Sequence, residues 1–396
     1  MKPTMDSARA SAGFPAQDRP GAHAPHIVFA TLDVFATMGG MQRYNRRMLR
    51  ALEELAVRGE HRVTVLALRD EKRPADLSPM VDFRACGYSR RRFVMDLVRS
   101  AAKGPTLVWL GLINFLPLAA LIRGLSPRSL IWLTVHGVEV WNQPPYRRRQ
   151  PSDRLLLRRC VDRILAVSAF TRDRMRRAFD LETVPFTILP NATEAPTLPA
   201  PPWEKPPGPK QVLAVTRLAA TEREKNIDQL IDALHQLQGD GPVFSCTIVG
   251  DGPLRDEYQM KVDRLGLESL VALPGRVGDE ELEALFRAAT VFVLPSKKEG
   301  FGIVFLEAWK AGIPVIGGNK DAAAEVIEDG VDGILVDPDD AGAIAGALRR
   351  LLRDEDTARA FGAAGFAKVA AHYTDARFNE RVVHLLEQAT RPNGPP

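Results

Sequence analysis

From position 26 onward the chain alternates short, strand-like apolar runs with stretches whose apolar residues recur at helical spacing, and this alternation is interrupted once and then restarts. The runs lie at 26–32, 62–68, 106–111, 129–137, 163–168 and 186–191, then at 211–218, 244–250, 271–275, 291–296, 314–318 and 333–336. In the first helical stretch Tyr44, Met48, Leu52 and Leu55 share one face. Alternation of this kind builds a parallel sheet covered on both faces, and ligands then sit at the carboxyl ends of its strands. The interruption, PTLPAPPWEKPPGPK at 196–210, is mostly proline with little to bury and reads as a semi-rigid linker. The expected organisation is a disordered leader at 1–25, a first Rossmann-like domain at 26–195, the linker, a second Rossmann-like domain at 211–372, and a terminal helical stretch at 373–396. The helical spacing of 374–389 suits packing back on the first domain.

A length of 396 residues fits two domains of ordinary size. The leader lacks the apolar core of a secretory signal, and Cys86, Cys160 and Cys246 are too scattered for a disulfide framework or a metal-ligand pair. A reducing cytoplasm is the simplest expected setting. The apolar stretch 107–122 is broken by Gly111, Asn114 and Pro117 and falls short of the roughly 20 residues needed to span a bilayer, so it reads as a strand running into a helix. Charge is distributed unevenly: residues 1–200 hold 31 Lys and Arg against 18 Asp and Glu, and the remainder holds 22 against 31. A basic first half suits an anionic partner. Neither a nucleic-acid motif nor an aromatic stacking stripe accompanies it. In 88–104, Phe93, Val94, Leu97 and Val98 share part of a helical face among Arg90, Arg91, Arg92, Arg99 and Lys103, and a second basic run stands at Arg147, Arg148 and Arg149. An interfacial helix and a surface helix packing its apolar stripe inward are both compatible with that pattern.

The densest cluster of polar groups lies at 294–318, LPSKKEGFGIVFLEAWKAGIPVIGG. A buried strand leads through a glycine-flanked turn into a helix and then the next strand. Glu299 stands in the loop and Glu307 one turn into the helix, so both can face one ligand. Gly300 and Gly302 let backbone approach it closely. The N–H groups of residues 301–304 form an anion site at the helix start. Taken as an isolated pair, the two glutamates read rather as a surface acid and a solvated helix residue.

The pair is not isolated. In order along the chain stand MGGMQRYNRRML, TVHGVEVW, AVSAFTRDRM, ILPNATE, TRLAATEREKNIDQLIDAL, IVGDGPLR and PGRV, followed by the two glutamates separated by seven residues. Together these segments resemble the retaining family-4 glycosyltransferases, also described as glycosyl transferases group 1, over nearly the whole chain. The resemblance implies an α/β GT-B architecture, with two Rossmann-like doubly wound domains facing a central cleft. It implies that Glu299 binds hydroxyls of the donor sugar and Glu307 the nucleotide ribose, and that Phe301, Gly302, Ile303 and Val304 offer backbone contacts to sugar and diphosphate. Arg217 and Lys225 would neutralise the pyrophosphate, His136 would reach the sugar, and Arg276 and Val277 would meet the base through the main chain.

Gly39 and Gly40 would bring backbone to phosphate or acceptor, and Gly250 and Gly252 would border the nucleotide, though an ordinary strand-to-helix turn explains the latter pair equally well. Without the resemblance, His136 reads as a satisfied core histidine, and Arg217 and Lys225 as surface cations. The family's usual Lys-Gly pair appears as Lys225-Asn226, and the longer TEREK loop makes Arg223 a rival for the phosphate contact. The Asn226 side chain is expected to cap the helix that follows.

The resemblance further implies transfer with retention and without a metal or other cofactor, the leaving diphosphate helping to deprotonate the acceptor hydroxyl. No Asp-x-Asp metal signature is read, and no carboxylate nucleophile is assigned. A GDP- or UDP-linked sugar is the expected donor, and a saccharide or lipid-diphosphate the expected acceptor, with peripheral attachment to the cytoplasmic face of an anionic membrane. The alternatives are a nucleotide-sugar epimerase on the same fold and a non-catalytic nucleotide-sugar-binding protein.

Overall fold

The computed structural model describes residues 24–37, 39–142, 147–197, 203, 205, 208–239 and 243–390. The first sheet contains β1 (His26–Thr31), β2 (Arg62–Ala67), β3 (Val81–Ala85), β4 (Leu107–Leu110), β5 (Leu130–Val135), β6 (Arg163–Ala166) and β7 (Phe186–Ile188), in the order β3-β2-β1-β4-β5-β6-β7. The second contains β8 (Lys210–Val215), β9 (Phe244–Val249), β10 (Val271–Gly275), β11 (Val291–Leu294), β12 (Val315–Gly318) and β13 (Gly333–Val336), in the order β10-β9-β8-β11-β12-β13. Every pairing in both sheets is parallel. These are two doubly wound α/β lobes, as the alternation predicts.

The twelve runs read from the sequence all contain strands, which end one to three residues earlier where the run continues into a loop. β3 was not anticipated. It lies at the sheet edge and alternates buried Val81, Phe83 and Ala85 with the charged Asp82 and Arg84, so no continuous apolar run marks it.

The first helix, Gly40–Val57, buries Tyr44, Met48, Leu52 and Leu55. The helix Asp375–Thr390 lies against it: Phe378 meets Tyr44 edge to face at 5.2 Å, and Asp375 accepts from Arg47 Nε at 2.5 Å. Thr193 and Tyr373 meet at the crossing, where Thr193 N–H donates to the Tyr373 carbonyl and Asp375 N–H to that of Thr193. The chain therefore leaves and re-enters the first lobe at one place.

Three expectations need correction or restriction. The helix Arg90–Ala101 turns Phe93 and Leu97 into the first core, so the main part of its apolar stripe packs on the protein, with Val94 and Val98 half-buried and Met95 exposed. Arg147 is largely spent on the buried carboxylate of Asp153 at 2.7 Å, which removes it from the second basic run. Positions 1–23, 198–202, 204 and 206–207 lie outside the described residues. Within 196–210, however, Trp203 packs against the second core with Lys205 above its ring, and Lys210 already belongs to β8. No helix among the described residues is long and apolar enough to cross a membrane.

Candidate active site

In both sheets the strand order reverses beside the first strand, between β1 and β4 in one lobe and between β8 and β11 in the other. The loops leaving these strands carry the residues singled out above, and they face one another across the cleft. A crevice at such a switch point is where doubly wound sheets hold ligands. The β1 loop is organised by acids that sequence reasoning passed over. Asp70 accepts from Val34 and Phe35 N–H at 2.7 and 2.8 Å, and Asp33 accepts from Thr37 and Gln42 side chains at 2.7 and 2.8 Å.

That loop delivers Gly39 and Gly40 to the start of the first helix. A Cβ at Gly40 would lie 3.7 Å from Ile303 Cγ2, so the N-terminus of Gly40–Val57 confronts that of the helix Ile303–Lys310. Gly302, the residue before the second helix, has φ 90 and so requires the left-handed freedom of glycine. Neither helix has a side-chain cap at its N-terminus. Two helix starts then offer their unpaired N–H groups and positive dipole ends to one space, an arrangement suited to a diphosphate. Phe301 is buried with its ring against Tyr373, and Ile303 and Val304 are half-buried.

The charged side chains form a line. Arg217 Nη2 donates to Glu222 at 2.6 Å, Glu222 reaches Lys225 at 3.9 Å, and Lys225 Nζ donates to Glu299 Oε1 at 2.5 Å. The Glu299 N–H in turn donates to Asp321 Oδ2 at 2.7 Å. Arg217 is 76% exposed at one end, while Lys225 is nearly buried. Burial alone would lower the Lys225 pKa, but Glu299 and Glu222 beside it hold it above the ordinary lysine value. Asp321 is pushed up to about 7, first by burial and then by the charge of Glu299.

Arg223, the rival cation, turns away to the exposed Glu257 at 2.5 and 2.6 Å. Glu222 and Asp321 were missed in the sequence, where each is one acid among many. Asn226 does not cap with its side chain. It adopts φ 57 and donates to the Pro338 carbonyl at 2.9 Å. A left-handed position explains why asparagine stands where the family has glycine, because these two residues tolerate it best.

Gly250 and Gly252 do their work on the protein. With φ of 151 and 145, a Cβ on either would strike the backbone of Thr216 or Leu218. The turn that contains them also exchanges backbone hydrogen bonds with Leu218, so it fixes the loop that carries Arg217. His136 is half-buried, edge-on to Tyr44 with ring centres 5.0 Å apart. Its Nε2 lies 3.2 Å from the Gly111 carbonyl, and burial lowers its pKa below the ordinary histidine value. A Cβ on Gly300 would collide with the His136 carbonyl, so the His136-Gly137 turn packs directly on the Glu299–Phe301 loop.

Glu307 is paired with Arg43 of the opposite lobe. Both line a cavity of about 570 Å³ bounded also by Asp279, Leu282 and Phe286. Arg276 is exposed and Val277 half-buried at the end of β10, just before the helix Asp279–Ala288. Contrary to the sequence reading, the Asp-x-Asp spacing does occur, twice. Asp337 and Asp339 pair with Lys320 at 2.6 and 2.8 Å, Asp354 caps the helix Glu355–His372, and Asp356 pairs with Arg359.

Residues 38–195 match the model of Glycosyltransferase Family 4, and residues 200–368 that of Glycosyl transferases group 1. The GDP-mannose-dependent alpha-(1-6)-phosphatidylinositol monomannoside mannosyltransferase of Mycobacterium tuberculosis is 31% identical over 285 residues, which cover 67% of this chain and 71% of that protein. Among solved structures, sucrose-phosphate synthase from Thermosynechococcus elongatus superposes with a TM-score of 0.73 at 22% identity, covering 92% of this chain and 98% of the other. HepE of Anabaena in complex with UDP gives 0.69 at 18% identity, covering 91% and 99%. Motifs, switch-point cleft and relatives agree, and the chain belongs to glycosyltransferase family 4, as a nucleotide-sugar-dependent glycosyltransferase of the GT-B fold.

Proposed function

We propose that this protein transfers a hexose, with mannose from a GDP-linked donor the leading case, to a hydroxyl of a lipid-linked or saccharide acceptor, with retention and without a metal. The observation that carries the reading is the line Arg217, Glu222, Lys225, Glu299 running beside two opposed helix N-termini. A departing nucleoside diphosphate gains negative charge as the glycosidic bond breaks, and fixed cations and N–H dipoles aimed at that charge lower the barrier. Lys225 and Arg217 supply the cations, and the starts of the helices Gly40–Val57 and Ile303–Lys310 supply the dipoles. Glu299 orients the sugar hydroxyls, Glu307 exchanges Arg43 for the ribose, and His136 Nδ1 meets the sugar from the first lobe. The leaving diphosphate takes the acceptor proton on the face it leaves, so no carboxylate nucleophile is required. The choice of GDP and mannose rests on the named activity of the mycobacterial relative.

The test is transfer from GDP-mannose, UDP-glucose and UDP-galactose to phosphoinositide and polyprenyl-diphosphate acceptors, in the presence and absence of EDTA. The anomeric configuration of the product is read by NMR. An α-linked product from an α-linked donor, formed at the same rate with EDTA, is expected. An inverted product or a chelator-sensitive rate overturns the mechanism. Appearance of an epimerised donor without acceptor overturns transfer itself.

A further inference from the structure

The helix Ala169–Phe179 of the first lobe starts at the cleft, and its first turn is capped from two sides. Ser168, its N-cap residue, accepts from Thr171 N–H at 3.0 Å within its own lobe. The N–H groups of Ala169 and Phe170 instead donate to Oε1 and Oε2 of Glu325 in the second lobe, each at 2.9 Å. A carboxylate accepting two N–H groups at the positive end of a helix makes charge-assisted bonds that an ordinary surface acid does not.

The same first turn grips the donor-site loop. Ser168 Oγ donates to the Gly300 carbonyl at 2.6 Å and Thr171 Oγ1 donates to it at 3.1 Å. The neighbouring residue Glu299 is held from the Glu325 side as well: its N–H donates to Asp321 Oδ2, and its carbonyl accepts from Ala322 N–H at 3.2 Å. Asp321 Oδ1 accepts from Ala323 N–H at 2.9 Å at the start of the short helix Ala323–Val326, which contains Glu325. The contacts close a ring. It runs from Glu299 and Gly300 to Ser168 and Thr171, through the helix start to Glu325, and back through Asp321 to Glu299.

We infer that Glu325 is a positioning residue of the transfer reaction, which draws the helix Ala169–Phe179 onto the Glu299-Gly300 loop and so couples lobe closure to the placement of Glu299. The inference rests on the donor-sugar role proposed for Glu299. Glu325 touches neither the proposed diphosphate site nor the cavity beside Glu307. Its removal therefore acts on the closed, reacting state and leaves the nucleotide site of the second lobe intact.

The test uses the full chain and three readouts: kcat and KM with the sugar donor, the GDP dissociation constant by calorimetry, and compaction on donor addition by small-angle X-ray scattering. Glu325→Ala removes both charge-assisted hydrogen bonds and should lower kcat by at least about ten-fold. Its affinity for GDP should fall much less than kcat, because Arg217, Lys225 and the start of the helix Ile303–Lys310 remain in place, and donor-induced compaction should be lost. Glu325→Gln keeps one acceptor oxygen, should fold if the alanine variant does not, and should recover part of kcat. An unchanged kcat in Glu325→Ala, or a loss of GDP affinity in proportion to kcat, overturns the positioning role. Compaction is read without turnover. A parent that compacts through Glu325 yet transfers no sugar therefore refutes the proposed function and leaves only the coupling of Glu325 to lobe closure, whereas active transfer with compaction independent of Glu325 refutes this inference and leaves the proposed function standing.

Discussion

Lys225 sits between Glu222 and Glu299 with little access to water, so its charge is kept by its neighbours. Lys225→Ala deletes the cation and leaves Glu299 beside Asp321 uncompensated. Transfer should fall by about thirty-fold, equivalent to about 2 kcal/mol of charge-assisted bonding. Arg223→Ala breaks only an exposed pair with Glu257 and should leave kcat/KM at the parental value. The reverse ranking in steady-state kinetics would mean that the TEREK loop presents Arg223 to the phosphates. Glu299→Ala should abolish transfer while free GDP binds as before, whereas Glu307→Ala should weaken GDP and GDP-sugar alike in calorimetry; equal GDP affinity in both variants removes the ribose assignment. Asp321 makes the same network sensitive to pH. Its carboxyl is protonated more readily in the folded chain, at about 7, than in the unfolded one, where carboxyls titrate near ~4. It therefore contributes stability that is fully present below the unfolded value and lost as pH rises through about 7. The melting temperature should carry this decline between roughly pH 4 and 7. In Glu299→Gln, which removes the like charge, the decline should finish at a lower pH, and superimposable profiles for the two proteins would show that the carboxyls are not coupled.

The elements that place these residues differ in how visibly the sequence announces them. Strands buried on both faces of a parallel sheet must be apolar throughout, so β1, β4, β5, β8 and β11, which aim the site loops, were read directly. β3 escaped because an edge strand needs only one apolar face. The helix Arg90–Ala101 was legible as a helix but not by what covers its stripe, since nothing in a periodicity says whether Phe93 and Leu97 meet protein or lipid. The candidate site divides in the same way. Glu299, Glu307, Lys225 and the glycines lie in segments whose order marks the family, while Glu222, Asp321 and Glu325 are acids in charged loops that gain meaning only from neighbours distant in the chain. Gly250 shows how packing alone can demand a glycine beside the site. A Cβ there would lie 1.7 Å from the Thr216 carbonyl at a φ of 151, so Gly250→Ala must displace the loop bearing Arg217. It should cost about 1–3 kcal/mol of stability and weaken GDP binding together. Gly346→Ala, on an exposed helical position with open space around it, should instead raise the melting temperature through a gain of about 0.4–1 kcal/mol. Undiminished GDP affinity in Gly250→Ala would show that the turn does not govern the Arg217 loop.

At the scale of the whole molecule the two lobes share one fold and differ in charge, and the excess of Lys and Arg lies in the first 200 residues. The mycobacterial relative is named for a phosphatidylinositol-based acceptor, which resides in a membrane. With Phe93 and Leu97 turned into the core, the helix Arg90–Ala101 leaves Met95 as its exposed apolar residue, beside the exposed Tyr88, and Arg90, Arg91 and Arg92 stand exposed at its start. A membrane contact through this lobe is therefore expected to be mainly electrostatic. Each basic residue near an anionic bilayer contributes about 1 kcal/mol, and the attraction fades beyond a Debye length of about 8–10 Å at physiological salt. Three arginines acting together should hold the enzyme reversibly at low ionic strength and release it as salt rises. In a flotation assay the protein should therefore rise with vesicles containing phosphatidylserine or phosphatidylinositol, stay below with phosphatidylcholine alone, and be freed by salt in the molar range. The triple substitution of Arg90, Arg91 and Arg92 by Ser should reduce flotation without altering transfer to a soluble acceptor analogue, because those side chains lie outside the cleft network. Binding that resists salt would point instead to an apolar anchor, for which Tyr88 and Met95 are exposed, and binding indifferent to lipid charge would favour a water-soluble acceptor.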